Sequence, residues 1–166
     1  ENPELSEIGS EEEYSEYLKT KGITQVGFHH ANTDLENFSS FPEGYFPQAL
    51  KKKGTHYKEA DDVVFFVKKP LEKEFMSKRK FTGSWGLTVN NTLDFSGQEG
   101  GIDEGIKAAV DGGYDSVDFG EINDNKTKSE VFVILNPTDA TKLGSKQDIQ
   151  GFKDFTFMIL FRGVLR

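Results

Sequence analysis

The sequence predicts an α+β fold, because short helical patterns and isolated strand patterns follow one another without regular strand–helix alternation. Its 166 residues favour one domain over residues 1–166, large enough to bury a core. Fifteen phenylalanines need a packed interior for their rings, which argues against disorder. The glycine-rich GxGxxG and GxxxxGK segments are missing, so the sequence lacks the common dinucleotide-binding and phosphate-binding loops.

The first predicted element is a short acidic helix over residues 11–20. Ser10 and Glu13 have the spacing of a capping box, in which a serine and a glutamate three residues later satisfy each other's backbone N–H groups. Gly22 ends this helix. The alternation that follows predicts a strand over Ile23–His29.

The middle of the chain predicts loops interrupted by strands. Residues 31–62 are polar, with scattered aromatic side chains, and indicate loop and short helix. The apolar run Val63–Val67 predicts a strand that Pro70 stops. Within residues 72–100 the pattern is weak, and Trp85–Val89 is the one candidate strand.

The C-terminal half predicts one helix followed by strands. Ile102, Ile106, Ala109 and Val110 share one helical face, and the pair Gly112-Gly113 ends the helix. Three further strands are predicted, over Ser116–Phe119, Val131–Leu135 and Phe155–Phe161.

Composition excludes several classes of function. The net charge is −8, and the two basic runs at 51–53 and 78–80 are short, so nucleic acid is disfavoured as a partner. Cysteine is absent, which excludes disulfides, thiolate catalysis and cysteine-based zinc sites. The apolar run at 155–161 is too short to cross a bilayer, so no membrane span is expected. The three histidines do not predict a metal site.

Histidine and glutamate at strand ends are the candidates for chemistry. His29 ends a predicted strand, where most histidines are structural. His30 must point to the opposite face, because neighbours on a strand alternate. Glu130 opens the strand Val131–Leu135, where a carboxylate can stabilise positive charge as a glycosidic bond breaks, although most glutamates at strand ends are merely solvated. Glu121, expected on the preceding loop, is a second candidate.

Six segments match one family pattern in order and spacing. They include a Phe-His-His-Ala-Asn run where the family has His-Gly-Thr or His-Gly-Ser, a strand with Pro-Leu at its end, and a Gly-Tyr-Asp-Ser turn. The segments are Glu13–Leu18, Phe28–Phe38, Phe65–Leu71, Gly113–Val117, Val133–Pro137 and Leu143–Ile149. Together they resemble the ADP-ribosyltransferase domains found inside large phage and mobile-element polyproteins, and the resemblance extends over most of the chain.

The resemblance implies a split β-sheet core with short flanking helices that clamps NAD, the substrate. It assigns His29 to the histidine that hydrogen-bonds a ribose of NAD. Tyr45 matches best the ring that stacks on nicotinamide, and Tyr57 is the alternative for that role. Glu130 matches the glutamate that contacts the nicotinamide ribose and promotes loss of nicotinamide. Without the resemblance, Tyr45 is a turn aromatic that covers the core.

The implied function is an NAD-dependent mono-ADP-ribosyltransferase that modifies a macromolecule. A protein target is expected, in the cytoplasm of a host cell or after delivery by a virion. One alternative is a catalytically degenerate module that docks on a partner protein, and another is an NAD glycohydrolase with water as acceptor. The degenerate module is favoured by the acidic charge balance, by His30, which replaces a small glycine, and by Glu130, which lies about one residue early relative to Asn136-Pro137. On a strand, a shift of one residue turns a side chain to the other face.

Overall fold

The computed structural model describes residues 2–31, 34–38, 63–70, 81–124 and 127–164. Within these ranges the chain is an α+β fold with one mixed sheet of seven strands and four α-helices. The helices are α1 Pro3–Ile8, α2 Glu11–Thr20, α3 Ile102–Gly112 and α4 Lys146–Val164, with a 3-10 turn at Pro137–Asp139. The strands are β1 Gln25–Ala31, β2 Val64–Val67, β3 Phe81–Leu87, β4 Thr92–Asp94, β5 Ser116–Asp124, β6 Thr127–Ile134 and β7 Ala140–Lys142.

The sheet consists of two groups of strands joined at one point. The strand order is β4-β5-β6-β2-β1-β3-β7, with β4–β5 parallel and the other neighbours antiparallel. Among the described residues, β1 and β2 share only the pair Phe28–Val67, whereas β1 and β3 share seven pairs. We call β1, β3 and β7 the histidine block, and β4, β5, β6 and β2 the glutamate block. The backbone pairing between the two blocks is therefore almost interrupted.

The two faces of the sheet carry different side chains. One face, which we call the aromatic face, carries Phe66, Trp85 and Phe132, and Phe38 packs against it. The opposite face, which we call the helical face, is covered by helices. Because cross-strand partners share a face, the register fixes the face of every strand residue.

The helical face is covered at both ends. Over the glutamate block, α3 buries Ile106 and Ala109 against Val117 and Val133. This helix ends at Gly113, whose φ of 72° lies in the left-handed region that glycine adopts without strain. The amphipathic pattern that predicted α3 therefore placed its apolar side correctly.

Over the histidine block, a buried carboxylate ties α4 to α2. Asp148 Oδ2 accepts hydrogen bonds from the Tyr14 hydroxyl at 2.5 Å and from the Gly144 N–H at 2.8 Å. Phe152, fully buried, packs beside Tyr14 and Tyr17. Burial, with Asp148 nearby, raises the pKa of Tyr14 well above its usual value and the pKa of Tyr17 to about 12. Both hydroxyls are therefore protonated in the folded protein at neutral pH.

The predicted strand over Phe155–Phe161 is wrong, because these residues belong to α4. A short apolar run has the same composition in a buried strand and in a helix, and its period does not separate the two. The deciding residues lie upstream, where Asp148, Phe152 and Phe155 follow one another at helical spacing and face α2. Beyond Thr156 the helix exposes consecutive apolar side chains: Phe157, Met158, Ile159, Leu160 and Phe161.

The other elements predicted within the described residues are confirmed, most of them with shifted ends, whereas the loop and short helix predicted over residues 31–62 lie almost entirely outside the described residues. The helix over 11–20 has the predicted bounds and both hydrogen bonds of its capping box. The strand expected at Trp85–Val89 begins earlier, at Phe81, and ends at Leu87. The largest difference is β5, which continues beyond Phe119 to Asp124. Glu121 therefore lies on a strand, and its predicted loop position is wrong.

Candidate functional site

His29 lies where the backbone ladder between the two blocks ends. Lys68 N–H donates to Glu130 O at 3.0 Å, so by antiparallel alternation the Phe65 carbonyl points away from β6 and toward β1. His29 Nδ1 lies 2.8 Å from that carbonyl oxygen. Because a carbonyl only accepts, Nδ1 is the donor. The imidazole thus takes the place of a backbone N–H at the junction of β1 and β2.

Aromatic rings hold the His29 imidazole in one orientation. Its ring meets Phe38 edge-on at 4.9 Å between centroids and Phe66 edge-on at 5.8 Å. On its other side, β3 presents Gly83 directly opposite His29, so no side chain crowds the ring from that position. A small cavity opens there, lined by His29 and Gly83 together with Asp34 and Phe81. His29 is therefore half-buried and oriented, beside an opening on the aromatic face.

Glu130 shares the aromatic face with His29. On β6, Glu130 lies two residues before Phe132, so the two side chains share a face of the strand. Phe132 pairs with Phe66 of β2. The pair Phe28–Val67 puts His29 opposite Phe66 on the same face. With ordinary strand spacings, the Cα atoms of His29 and Glu130 are separated by about 12 Å, which is two strands across and one side-chain step along. The two residues lie on the same face of the sheet without touching.

A bulge in the neighbouring strand brings a second carboxylate beside Glu130. The register shifts between Asp118 and Gly120 of β5, and Gly120 adopts a φ of 62°. As a result, Glu121 pairs directly with Glu130 on the aromatic face. Strand β6 itself is regular through its eight pairs with β5. The bulge therefore places Glu121 on the aromatic face. Glu130 lies on that face because the side chains of β6 alternate between the two faces without interruption.

Two lysines flank Glu130, and each pairs with another carboxylate. Lys68 Nζ lies 2.6 Å from Asp118 Oδ2, with both side chains about one-quarter exposed. Lys128 Nζ lies 3.1 Å from Glu121 Oε1, and both of these side chains are exposed. Within the described ranges, no ion pair within 4 Å involves Glu130, which is itself exposed. Glu130 is thus a solvated carboxylate beside a half-buried ion pair.

The remaining candidates do not add to this surface. His30 is buried, its Nδ1 lies 2.8 Å from Thr82 Oγ1, and alternation directs it away from the aromatic face. The prediction that His29 and His30 point to opposite faces is therefore confirmed, and the bulk of His30 does not enter the space beside His29. Tyr45 and Tyr57 lie outside the described residues. No cluster of metal-ligating side chains occurs in the part of the chain that the structure describes.

Sequence reasoning missed the pair formed by Lys68 and Asp118. One signal was available, because Asp118 is a charged residue between the apolar neighbours Val117 and Phe119 of a predicted strand. Such a residue must face away from the helix-covered side and needs a partner when it is partly buried. The identity of that partner depends on the order of strands β5, β6 and β2, which the sequence did not supply.

No family model matches the chain, and searches of curated proteins and of solved structures also found no match. Across the described helices, none combines the length and apolarity needed to cross a bilayer. Function is therefore inferred from the residues of the aromatic face.

Proposed function

We propose that the chain is an NAD-dependent mono-ADP-ribosyltransferase with a split-sheet core of the ADP-ribosyltransferase type. The observation that carries the proposal is the shared face: His29 and Glu130 lie on the aromatic face, on opposite sides of the one-pair junction between the blocks. NAD would lie across this face, with one ribose near His29 and the nicotinamide ribose near Glu130. The proposed acceptor is a protein of a host cell or of a phage.

His29 fits the binding role because its orientation is set before a ligand arrives. The hydrogen bond to Phe65 O and the two edge-on aromatic contacts fix the imidazole plane. A group that is already oriented loses little rotamer freedom on binding, which lowers the entropic cost of association. In a neutral ring, the proton on Nδ1 leaves Nε2 as the acceptor atom.

Glu130 fits the chemical role because its carboxylate is exposed and has no ion pair among the described residues. In a dissociative reaction, the bond between the ribose carbon and the nicotinamide nitrogen breaks, and nicotinamide leaves with the bonding electrons. The ribose becomes cationic, and a carboxylate placed beside it stabilises that charge. The acceptor then attacks the ribose carbon and loses its proton. Bound NAD would exclude water from Glu130, which strengthens the attraction.

A second candidate function is docking on a partner protein without catalysis. The exposed apolar end of α4, Phe157–Phe161, favours it, because contiguous apolar surface on a monomer marks contact sites. An NAD glycohydrolase, with water as the acceptor, is a third outcome that one assay separates from the other two.

The test combines nicotinamide release with transfer of labelled ADP-ribose from NAD to proteins of a bacterial lysate. For wild type we expect both signals, and for Glu130→Gln a loss of rate of about 10²–10³-fold, the scale for losing one group that stabilises transition-state charge. Glu99→Gln is the control, since it removes an exposed carboxylate that lies outside the strands of the sheet. Release without transfer indicates a glycohydrolase. Neither signal, together with no NAD-dependent rise in Tm, supports the docking module and contradicts the proposal.

A further inference from the structure

Three charged side chains lie next to one another on the aromatic face at the edge of the proposed cleft. Lys68 follows β2 and sits beside Glu130, since its N–H donates to the Glu130 carbonyl. Asp118 of β5 pairs with Phe132, one side-chain step from Glu130 on the far side of β6. The Lys68 side chain is therefore close enough to reach either carboxylate, and in the structure it pairs with Asp118.

We propose that Asp118 is a positioning residue that holds Lys68 away from Glu130 and so keeps the Glu130 carboxylate available to the cationic ribose. This inference rests on the proposed function. Lys68 Nζ lies 2.6 Å from Asp118 Oδ2, and no ion pair within 4 Å joins Lys68 to Glu130. Because the Lys68–Asp118 pair is partly buried, salt and water screen it less than they screen an exposed pair.

The β5 bulge fixes Asp118 for this role. Its second oxygen, Oδ1, accepts the Gly120 N–H at 2.9 Å. That N–H is available because Gly120 adopts the left-handed conformation at the bulge, which a residue with a side chain would resist. One oxygen of Asp118 is thus bound to the backbone and the other to Lys68. The two contacts fix the orientation of the carboxylate.

A lysine paired with Glu130 would oppose the reaction in two ways. It would occupy the carboxylate that the cationic ribose needs, and its own charge would repel that cation. Both effects act on the transition state more than on neutral parts of bound NAD, so they lower kcat more than they raise KM. The exposed Lys128 is a weaker competitor, because solvent screens it and Glu121 already pairs with it.

The kinetic test uses three variants. Asp118→Asn leaves Lys68 without its partner, and we expect kcat for nicotinamide release to fall at least about tenfold, the scale set by an opposite charge within contact distance, with KM little changed. Lys68→Met removes the competitor and stays within about threefold of wild type. The double variant Asp118→Asn/Lys68→Met recovers the Lys68→Met rate. Failure of the double variant to recover, in protein shown to be folded by circular dichroism, would overturn the proposal.

A second measurement does not depend on catalysis. A double-mutant cycle on Lys68→Met and Glu130→Gln, read as shifts of the urea midpoint, reports whether the two side chains interact. We expect additive shifts with Asp118 present and non-additive shifts in the Asp118→Asn background. Additive shifts in both backgrounds would overturn the positioning role. Absence of nicotinamide release from wild type, with the cycle behaving as expected, would instead reject the proposed reaction and leave the steering of Lys68 by Asp118 established.

Discussion

His29 of the histidine block and Glu130 of the glutamate block lie on the same face of the sheet in different surroundings. His29 is half-buried, bonded to the Phe65 carbonyl and flanked by Phe38 and Phe66. Glu130 is exposed and, among the described residues, has no ion pair. The candidate binding residue therefore also supports the fold, whereas the candidate catalytic residue does not. Substitution of His29 should therefore change both stability and activity, whereas substitution of Glu130 should change activity with little effect on stability.

The largest expected effect lies at the junction of the blocks. Phe66 is buried and contacts both His29 and Phe38, so Phe66→Ala leaves a cavity where the two groups of strands meet. We expect a loss of about 3–5 kcal/mol in the free energy of unfolding. The measurement is urea denaturation, with Phe157→Ala as control, because Phe157 is 67% exposed and its removal should cost little. Equal losses for the two phenylalanines would contradict this packing.

The next effect distinguishes His29 from Glu130 directly. His29→Phe keeps a ring between Phe38 and Phe66 but leaves the Phe65 carbonyl without this donor, at a cost of about 1–3 kcal/mol. Glu130→Gln should change the free energy of unfolding by less than about 0.5 kcal/mol, as expected for an exposed side chain that has no ion pair among the described residues. Urea midpoints of the two variants measure the contrast. A destabilised Glu130→Gln protein would mean that the carboxylate has a structural partner.

A smaller effect concerns alkaline pH and the helices that cover the histidine block. The pKa of Tyr17 is about 12 in the folded protein and that of Tyr14 is also raised, both above the ordinary tyrosine value of 10.0. The stability that these groups contribute is fully present below pH 10 and is lost as the pH rises from 10 through the folded values, because the unfolded tyrosines ionise first. Thermal unfolding of wild type and Tyr14→Phe between pH 8 and 11 should show a flatter decline for the variant. Parallel declines would contradict the assignment.

The sequence correctly predicted the elements that are determined by residues close to one another in the chain. The Ser10–Glu13 capping box and the apolar stripe of α3 act within one or two helical turns, so their patterns were sufficient. The run Phe155–Phe161 failed for the opposite reason. Its helical state follows from Asp148 and Phe152 upstream, which pack against a helix more than 100 residues earlier in the chain.

The sequence identified residues of the candidate site but not their arrangement on the sheet. His29 and Glu130 were named from the sequence, but their shared face depends on the register Phe28–Val67 and Phe66–Phe132, which join distant segments. The one-residue offset of Glu130 was measured against the family pattern, and on a strand such an offset turns a side chain to the other face. Here Glu130 and His29 face the same side. The partner of Asp118 was likewise set by strand order.

The most direct test of the central claim is an NMR titration with a carbocyclic NAD analogue, which binds without losing nicotinamide. Side-chain signals of His29 and Glu130 should shift along one binding curve with a common Kd, because the proposed function places both beside the same bound analogue. His30, buried and directed to the other face, is the internal control and should not follow that curve. Shifts of only one of the two candidate residues, or of neither up to millimolar analogue, would contradict a shared NAD site on the aromatic face.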